Sequence, residues 1–160
     1  MTDPKQALEL ARTVTLIDWP NPDVPRTLVM AGFTVNSVNR LASTGASYSV
    51  CATREEVPEG ENVTVFPPDE DDGRYGNDGG YLVIQPLSEP PEGTDILCVF
   101  RPPGELPEIA RFAAALGAGT LWLQRGVRSD EARKIAEEAG LGFVEDTSIA
   151  DVIRESGIHK

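Results

Sequence analysis

Short runs of apolar, β-branched residues alternate along much of this chain with amphipathic stretches, a pattern that predicts strands and helices in turn. Thr13-Val14-Thr15-Leu16-Ile17 reads as a buried strand. Before it, Asp3 to Arg12 reads as a short helix: Asp3 stands at the cap, Pro4 suits the first turn, and Ala7, Leu8, Leu10 and Ala11 form an apolar stripe. Asp18 to Pro25 is a loop broken by Pro20, Pro22 and Pro25. Arg26 to Ala31 then forms a short helix stopped by Gly32, and Phe33 to Val38 is the next strand. Strand, helix and strand make one crossover unit.

The same order returns later. Thr94 to Phe100 reads as a buried strand, Leu106 to Leu116 as a helix with Pro107 in its first turn, and Thr120 to Gln124 as a strand. Ser129 caps a helix running to Ala139, with Ala132, Ile135, Ala136 and Ala139 as its inner face. Gly142 to Glu145 is a last strand, and Ser148 to Glu155 a last helix. Helices between strands predict an α/β, three-layer Rossmann-like fold: a mostly parallel sheet with helices on both faces.

The stretch from Asn39 to Gly93 breaks the rhythm. Gly and Pro punctuate it, and three β-prone pieces stand inside it: Tyr48 to Ala52, Asn62 to Phe66 and Tyr81 to Gln85. They read as strands joined by acidic turns, one lengthening the sheet and two forming a hairpin. Asp69 to Gly80 reads as a mobile loop tip. One domain over residues 1–160, with an acidic β-rich insertion at about 41–93, accounts for the whole pattern.

Charge sharpens this division. The formal charge is −12, and Glu55 to Glu92 alone carries −10, leaving the remainder near neutral at −2. Global acidity argues against nucleic acid as a partner. A small anionic ligand bound elsewhere is compatible, because exposed charges beyond about 10 Å are largely screened. No apolar run reaches the roughly 18–20 residues that span a membrane, and the polar N-terminal residues lack a signal-peptide core. Cys51 and Cys98 stand far apart, which predicts reduced thiols in a cytoplasmic protein, with Cys98 inside a buried strand.

Recognisable catalytic motifs are missing: the sequence has no Gly-x-Ser-x-Gly elbow, phosphate-binding Walker loop or zincin helix. In the acidic segment, aligning Gly73 with the invariant glycine of a calcium loop puts Pro68 at the first ligand position, so no calcium or other metal site is expected. Gly117-x-Gly119 lies between a helix and a strand and reads as a turn. Arg101 follows a buried strand, Arg26 stands beside a helix start and Arg40 follows the second strand, so all three are candidate phosphate contacts. Trp19 is a large aromatic in a loop expected to be exposed, a candidate for stacking or for a protein partner. Trp122 reads as a packed anchor, Gln124 as a residue satisfying backbone at a strand end, and His159 as part of a frayed tail.

Several segments together carry a family resemblance. Asp95 to Pro102 with its Val-Phe-Arg, Leu106-Pro107-Glu108-Ile109, Leu121-Trp122-Leu123-Gln124-Arg125-Gly126-Val127 and Ala136-Glu137-Glu138-Ala139-Gly140-Leu141 are similar to the small bacterial CoA-binding proteins. Those proteins resemble the nucleotide-binding domain of the succinyl-CoA synthetase α subunit. Pro25-Arg26, Gly32-Phe33 and Val35-Asn36-Ser37-Val38-Asn39 match the first crossover unit. The resemblance implies coenzyme A lying across the carboxyl ends of the strands. Asp18, Trp19, Asn21 and Arg26 would stand at its pyrophosphate, Asn39 and Arg40 at its adenosine, and Phe100 and Arg101 would flank it. The chain departs from the family at the first loop, where Asp18-Trp19-Pro20-Asn21 replaces Gly and small residues, and Arg40 replaces Pro. Asp18 would repel phosphate. Because His159 is the only histidine, the resemblance does not extend to enzymes that phosphorylate an internal histidine.

The leading expectation is non-catalytic binding of coenzyme A or acyl-CoA, regulatory or as a carrier. The alternative is a degenerate Rossmann domain that has lost its nucleotide and serves in protein–protein association. An NAD module fits less well, since no Gly-x-Gly-x-x-Gly follows the first strand. The partner expected is a small nucleotide ligand, not nucleic acid or membrane, with a homodimer or protein partner left open.

Overall fold

A computed structural model of the chain describes residues 2–19, 23–39, 47–53, 64–66, 82–87 and 93–160. Helix α1 (Pro4–Leu10) leads into strand β1 (Thr13–Ile17), helix α2 (Asp23–Met30) and strand β2 (Thr34–Asn39). Strands β3 (Ser47–Thr53), β4 (Thr64–Phe66) and β5 (Leu82–Leu87) follow. The remainder is β6 (Ile96–Val99), a 3-10 turn (Pro103–Glu105), α3 (Leu106–Leu116), β7 (Thr120–Leu123), α4 (Asp130–Glu138), β8 (Gly142–Val144) and α5 (Ile149–Ser156).

Among the described residues these strands form one eight-stranded sheet in the order β4-β5-β3-β2-β1-β6-β7-β8. The run β2-β1-β6-β7-β8 is parallel. Strands β3, β5 and β4 add to its β2 side by antiparallel pairing. The fold is therefore the Rossmann-like α/β architecture that the alternating pattern predicts. The three extra strands join the same sheet: β3 lengthens it, and β4 pairs with β5 at its edge. The register sets Asn39 beside Ser47, Thr53 beside Leu82, and Leu82 beside Phe66.

Alternate residues of each strand point to opposite faces, and each face has its own core. On one, Val14, Leu16, Val35, Ile96, Cys98, Trp122 and Val144 pack with Leu8 of α1, Leu28 of α2 and Ile153 of α5. On the other, Ile17, Val38, Leu97, Val99, Leu121, Leu123 and Phe143 pack with Ile109 and Ala113 of α3 and Ala132 and Ala136 of α4. Each fully buried aliphatic side chain contributes about 1.5–3 kcal/mol of transfer free energy. With few aromatics in the chain, these many aliphatic contacts supply most of the packing.

Several sequence expectations need correction. Helix α2 begins at Asp23 rather than Arg26, so Pro25 lies inside its first turn. That is tolerated because the first helical N–H groups have no intrahelical acceptor to lose. Leu10 does not join the apolar stripe of α1 but is 77% exposed, and Asp3 occupies the cap position without a side-chain cap bond. Ala139 also faces solvent, at the end of α4, where only Ala132 and Ala136 of that helix are buried. Ser129 does cap α4, its Oγ accepting the Ala132 N–H at 3.1 Å. The tail around His159 is docked rather than frayed. Ile158 packs against the core, the Lys160 N–H donates to the Ala31 carbonyl at 2.7 Å, and Lys160 Nζ donates to the Glu9 carbonyl at 2.7 Å. His159 itself is exposed. The loop tip expected at Asp69 to Gly80 lies outside the described residues.

Candidate functional site

Strand β1 has β2 on one side and β6 on the other. The chain leaves β1 toward β2 and returns across it to β6, so strand order reverses between β1 and β6. Loops on the two sides of such a reversal diverge and leave a crevice at the carboxyl ends of the strands. Ile17 stands level with Val38 and Val99. The residues that follow, Asp18, Asn39 and Phe100, are therefore delivered to one rim.

Asp18 turns the chain out of the sheet. Its N–H donates to the Val38 carbonyl at 2.8 Å, and its φ of 45° lies in the left-handed region. Glycine enters that region without cost, and aspartate is among the few residues that tolerate it. Trp19 follows, half-buried against the core rather than standing in an exposed loop. Its ring centroid lies 6.3 Å from that of Phe100, tilted by 49°. Phe100 is 50% exposed, one of two large apolar side chains so open among the described residues. The loops after β1 and β6 thus meet through an aromatic contact at the point where strand order reverses.

Arg101 stands beside this contact. Its Nε and Nη2 donate to the two carboxylate oxygens of Glu105 at 3.3 and 2.9 Å, which fixes the fork in a bidentate pair. Glu105 was not singled out from the sequence, although its i,i+4 spacing from Arg101 is legible there. Arg26 lies buried within α2, and Asn39 is exposed at the end of β2. Asp23, in the first turn of α2, adds a second carboxylate near Asp18 in sequence. Asn21 and Arg40 lie outside the described residues.

Farther along the same rim the side chains serve the fold. Trp122 is fully buried and its Nε1–H donates to the Thr147 carbonyl at 2.8 Å. Gln124 Oε1 accepts the Ile149 N–H at 2.8 Å. Asp146, another left-handed residue with φ 52°, ties the loops after β7 and β8 together. It accepts the Gly126 N–H at 2.7 Å and pairs with Arg128. The Gly126 N–H first, and then Arg128, hold its carboxyl below the usual carboxylate range. Nothing in the sequence pattern marks Asp146 for this role. Both cysteines are buried. Desolvation pushes the Cys51 thiol up to about 12 and the Cys98 thiol well above its ordinary value, so neither is a ready nucleophile.

A cavity of about 220 Å³ lies at the opposite, amino-terminal ends of β6 and β7, lined by Ala7, Leu10, Ala11 and Asp95 among others. It is remote from the rim where the strand ends converge. Among the described residues no three His, Cys, Asp or Glu side chains are grouped to hold a metal ion. No described helix is long and apolar enough to cross a membrane.

The model of the family described as CoA binding domain matches residues 18–152, from the left-handed Asp18 into the last helix. The chain belongs to the CoA-binding domain family. Three solved structures share its architecture. The cell-free ID.343 structure from Thermus thermophilus aligns with a TM-score of 0.58 at 24% identity, over 96% of this chain and 98% of that one. A hypothetical protein from Pyrococcus horikoshii OT3 gives 0.60 at 20% identity, over 95% and 88%. Prb, described as the PH1109 protein redesigned for binding, gives 0.61 at 16% identity, over 100% and 95%. At these identities the likeness concerns the fold.

In this CoA-binding domain the rim offers two kinds of contact. The Trp19–Phe100 pair presents two tilted aromatic rings, and Arg101 presents a guanidinium whose Nε and Nη2 are engaged by Glu105.

Proposed function

We propose that this chain binds coenzyme A or an acyl-CoA without transforming it, in a regulatory or carrier role, as one domain over residues 1–160 with an insertion at about 41–93. The observation that carries the reading is the Trp19–Phe100 contact at the reversal of strand order, inside the segment matched by the CoA-binding family. On this reading the ligand lies along Asp18, Trp19, Asn21, Arg26, Asn39, Arg40, Phe100 and Arg101. Arg101 meets a phosphate through the fork that Glu105 now holds. Two free cysteines without a disulfide support a protein of the reducing cytoplasm.

Titration calorimetry with coenzyme A tests the reading directly. Binding in the micromolar to submillimolar range is expected, and the absence of heat at millimolar ligand removes the proposal.

One observation favours a second reading. Trp19 and Phe100 already touch, and Phe100 leaves half its surface open, as a degenerate domain engaged in protein–protein association would. No heat with coenzyme A, together with self-association lost in Phe100→Ser, decides for it.

A further inference from the structure

We propose that helix α1 carries a self-association surface, on which Leu10 of one copy enters the cavity beside Leu10 of a second copy across a twofold axis. The surface lies at the end of the sheet opposite the crevice, and the inference does not rest on the coenzyme A reading.

Leu10 is 77% exposed, the most open large apolar side chain among the described residues, and it stands on the rim of the 220 Å³ cavity. The cavity exists because its walls are small. Ala7 and Ala11 face inward from α1 and its cap, and Gly119 precedes β7 without a side chain. A Cβ at Gly119 would meet the Asp95 carbonyl oxygen at 2.9 Å. An apolar hollow of about 150 Å³ accepts a benzene molecule, so this one has room for a leucine side chain. Knob and hole thus lie on one patch. Two copies related by a twofold axis through it fill each other's holes, and association closes at the dimer.

The patch is held in shape. The Thr2 N–H donates to the Phe143 carbonyl at 3.2 Å and Thr2 Oγ1 accepts the Phe143 N–H at 3.0 Å, which ties the start of α1 to β8. Lys160 Nζ donates to the Glu9 carbonyl at 2.7 Å and ties its end. A seven-residue helix is marginal alone, but here both ends are fastened. Association therefore carries little ordering cost.

Charge favours a second copy as the occupant. On α1 and around it, Asp3, Glu9 and Asp95 are balanced by Lys5, Arg12 and Lys160, in a chain whose net charge is −12. Lys5 and Glu9 pair at 3.6 Å, and each stays more than half exposed, so the same pair on a facing α1 can exchange partners. A strongly charged partner finds no net field here, whereas a copy brings the same balanced set. The acidic segment joins the sheet as β4 and β5, at least four strand spacings, or about 19 Å, from β6. That is roughly twice the screening length in physiological salt, so the points where two such segments join their sheets do not repel across this face.

Sedimentation velocity of the full chain tests the proposal. The patch is at the small end of interface sizes, so half-association near about 100 µM is expected. Leu10→Asp should weaken association at least about tenfold, the effect of placing a charge in an apolar contact. Leu10→Met should retain it, and Phe100→Ser should leave it unchanged. Because Cys51 and Cys98 are buried, Leu10→Cys supplies one exposed thiol, which a twofold axis brings opposite itself. Copper–phenanthroline oxidation should link Leu10→Cys into dimers faster than Phe100→Cys. A chain that stays monomeric throughout overturns the proposal, as does a dimer that Leu10→Asp leaves intact. Loss of the dimer in Phe100→Ser, or faster linking of Phe100→Cys, moves the contact to the crevice and overturns it as well.

Discussion

Gln124 Oε1 accepts the backbone N–H of Ile149 at 2.8 Å, joining the end of β7 to the first residue of α5. Gln124 is 8% exposed and Ile149 fully buried, so the N–H has no water to turn to when the acceptor is removed. A buried donor left unsatisfied costs about 1–3 kcal/mol. Gln124→Ala is expected to lower the unfolding free energy by that amount in urea titrations. Gln124→Glu, which keeps an acceptor, should lose less. Equal stability of Gln124→Ala and the unmodified chain would show that the bond contributes nothing.

The two thiols make stability depend on pH at the alkaline end. Burial raises Cys51 from 9.0 to about 12, and Cys98 is raised as well. Below pH 9 both states carry neutral thiols, and the stability is fully present. Above it the unfolded chain ionises first, so stability falls as pH rises from about 9 toward 12, with a limiting slope of about 1.4 kcal/mol per pH unit per thiol. A Cys51→Ser, Cys98→Ser double variant should show a shallower fall. The same burial predicts negligible reaction with a thiol reagent at pH 8 until denaturant is added, and rapid native labelling would contradict it.

Gly32 has a φ of +92°, and a Cβ built there would meet the Lys160 carbonyl oxygen at 2.6 Å. Backbone conformation and space both reject a side chain. Gly32→Ala is expected to destabilise the protein by more than about 1 kcal/mol. Deleting Lys160 in that background should recover only the share due to the close approach. A double-mutant cycle with no coupling between the two changes would refute the docked arrangement of the tail.

Arg101 and Glu105 form a partly exposed pair worth at most about 1 kcal/mol to stability. Their substitution should therefore move ligand affinity more than melting temperature. Arg101→Ala is expected to weaken coenzyme A about tenfold, the effect of losing one charge-assisted contact. Glu105→Gln releases the fork from a competing carboxylate and should tighten binding. Weaker binding in Glu105→Gln would mean that the pair positions Arg101 rather than competing for it. Arg26→Ala is also expected to weaken coenzyme A. Because Arg26 is buried, its affinity must be read together with a melting curve.

The parallel half of the sheet was legible because its strands are continuous apolar runs and its helices carry clear starts and stops: Thr13 to Ile17 and Leu106 to Leu116 coincide with β1 and α3. The start of helix α2 is hidden in the sequence because Pro25 looks like a breaker there and is harmless in a first turn. The exposure of Leu10 is not legible in sequence because periodicity cannot distinguish a core face from a cavity rim: it lines the 220 Å³ cavity and stays exposed. The pairing of β3, β5 and β4 depends on contacts between distant segments, which local pattern does not encode. Strand ends could be read from sequence, which is why Asp18, Asn39 and Phe100 stand out there as residues of one rim. The touch of Trp19 on Phe100 could not, because it spans two loops 81 positions apart.

The pairing of β4 with β5 fixes where one acidic segment of the chain is tethered. Phe66 and Leu82 stand level with each other and with Thr53, at the edge of the sheet opposite Asp18 and Phe100. Between them the sequence carries Asp69, Glu70, Asp71, Asp72 and Asp78. A five-residue strand separates the two edges by about 17 Å, roughly twice the screening length in physiological salt. The moorings of that acid thus lie beyond electrostatic reach of an anion at the crevice.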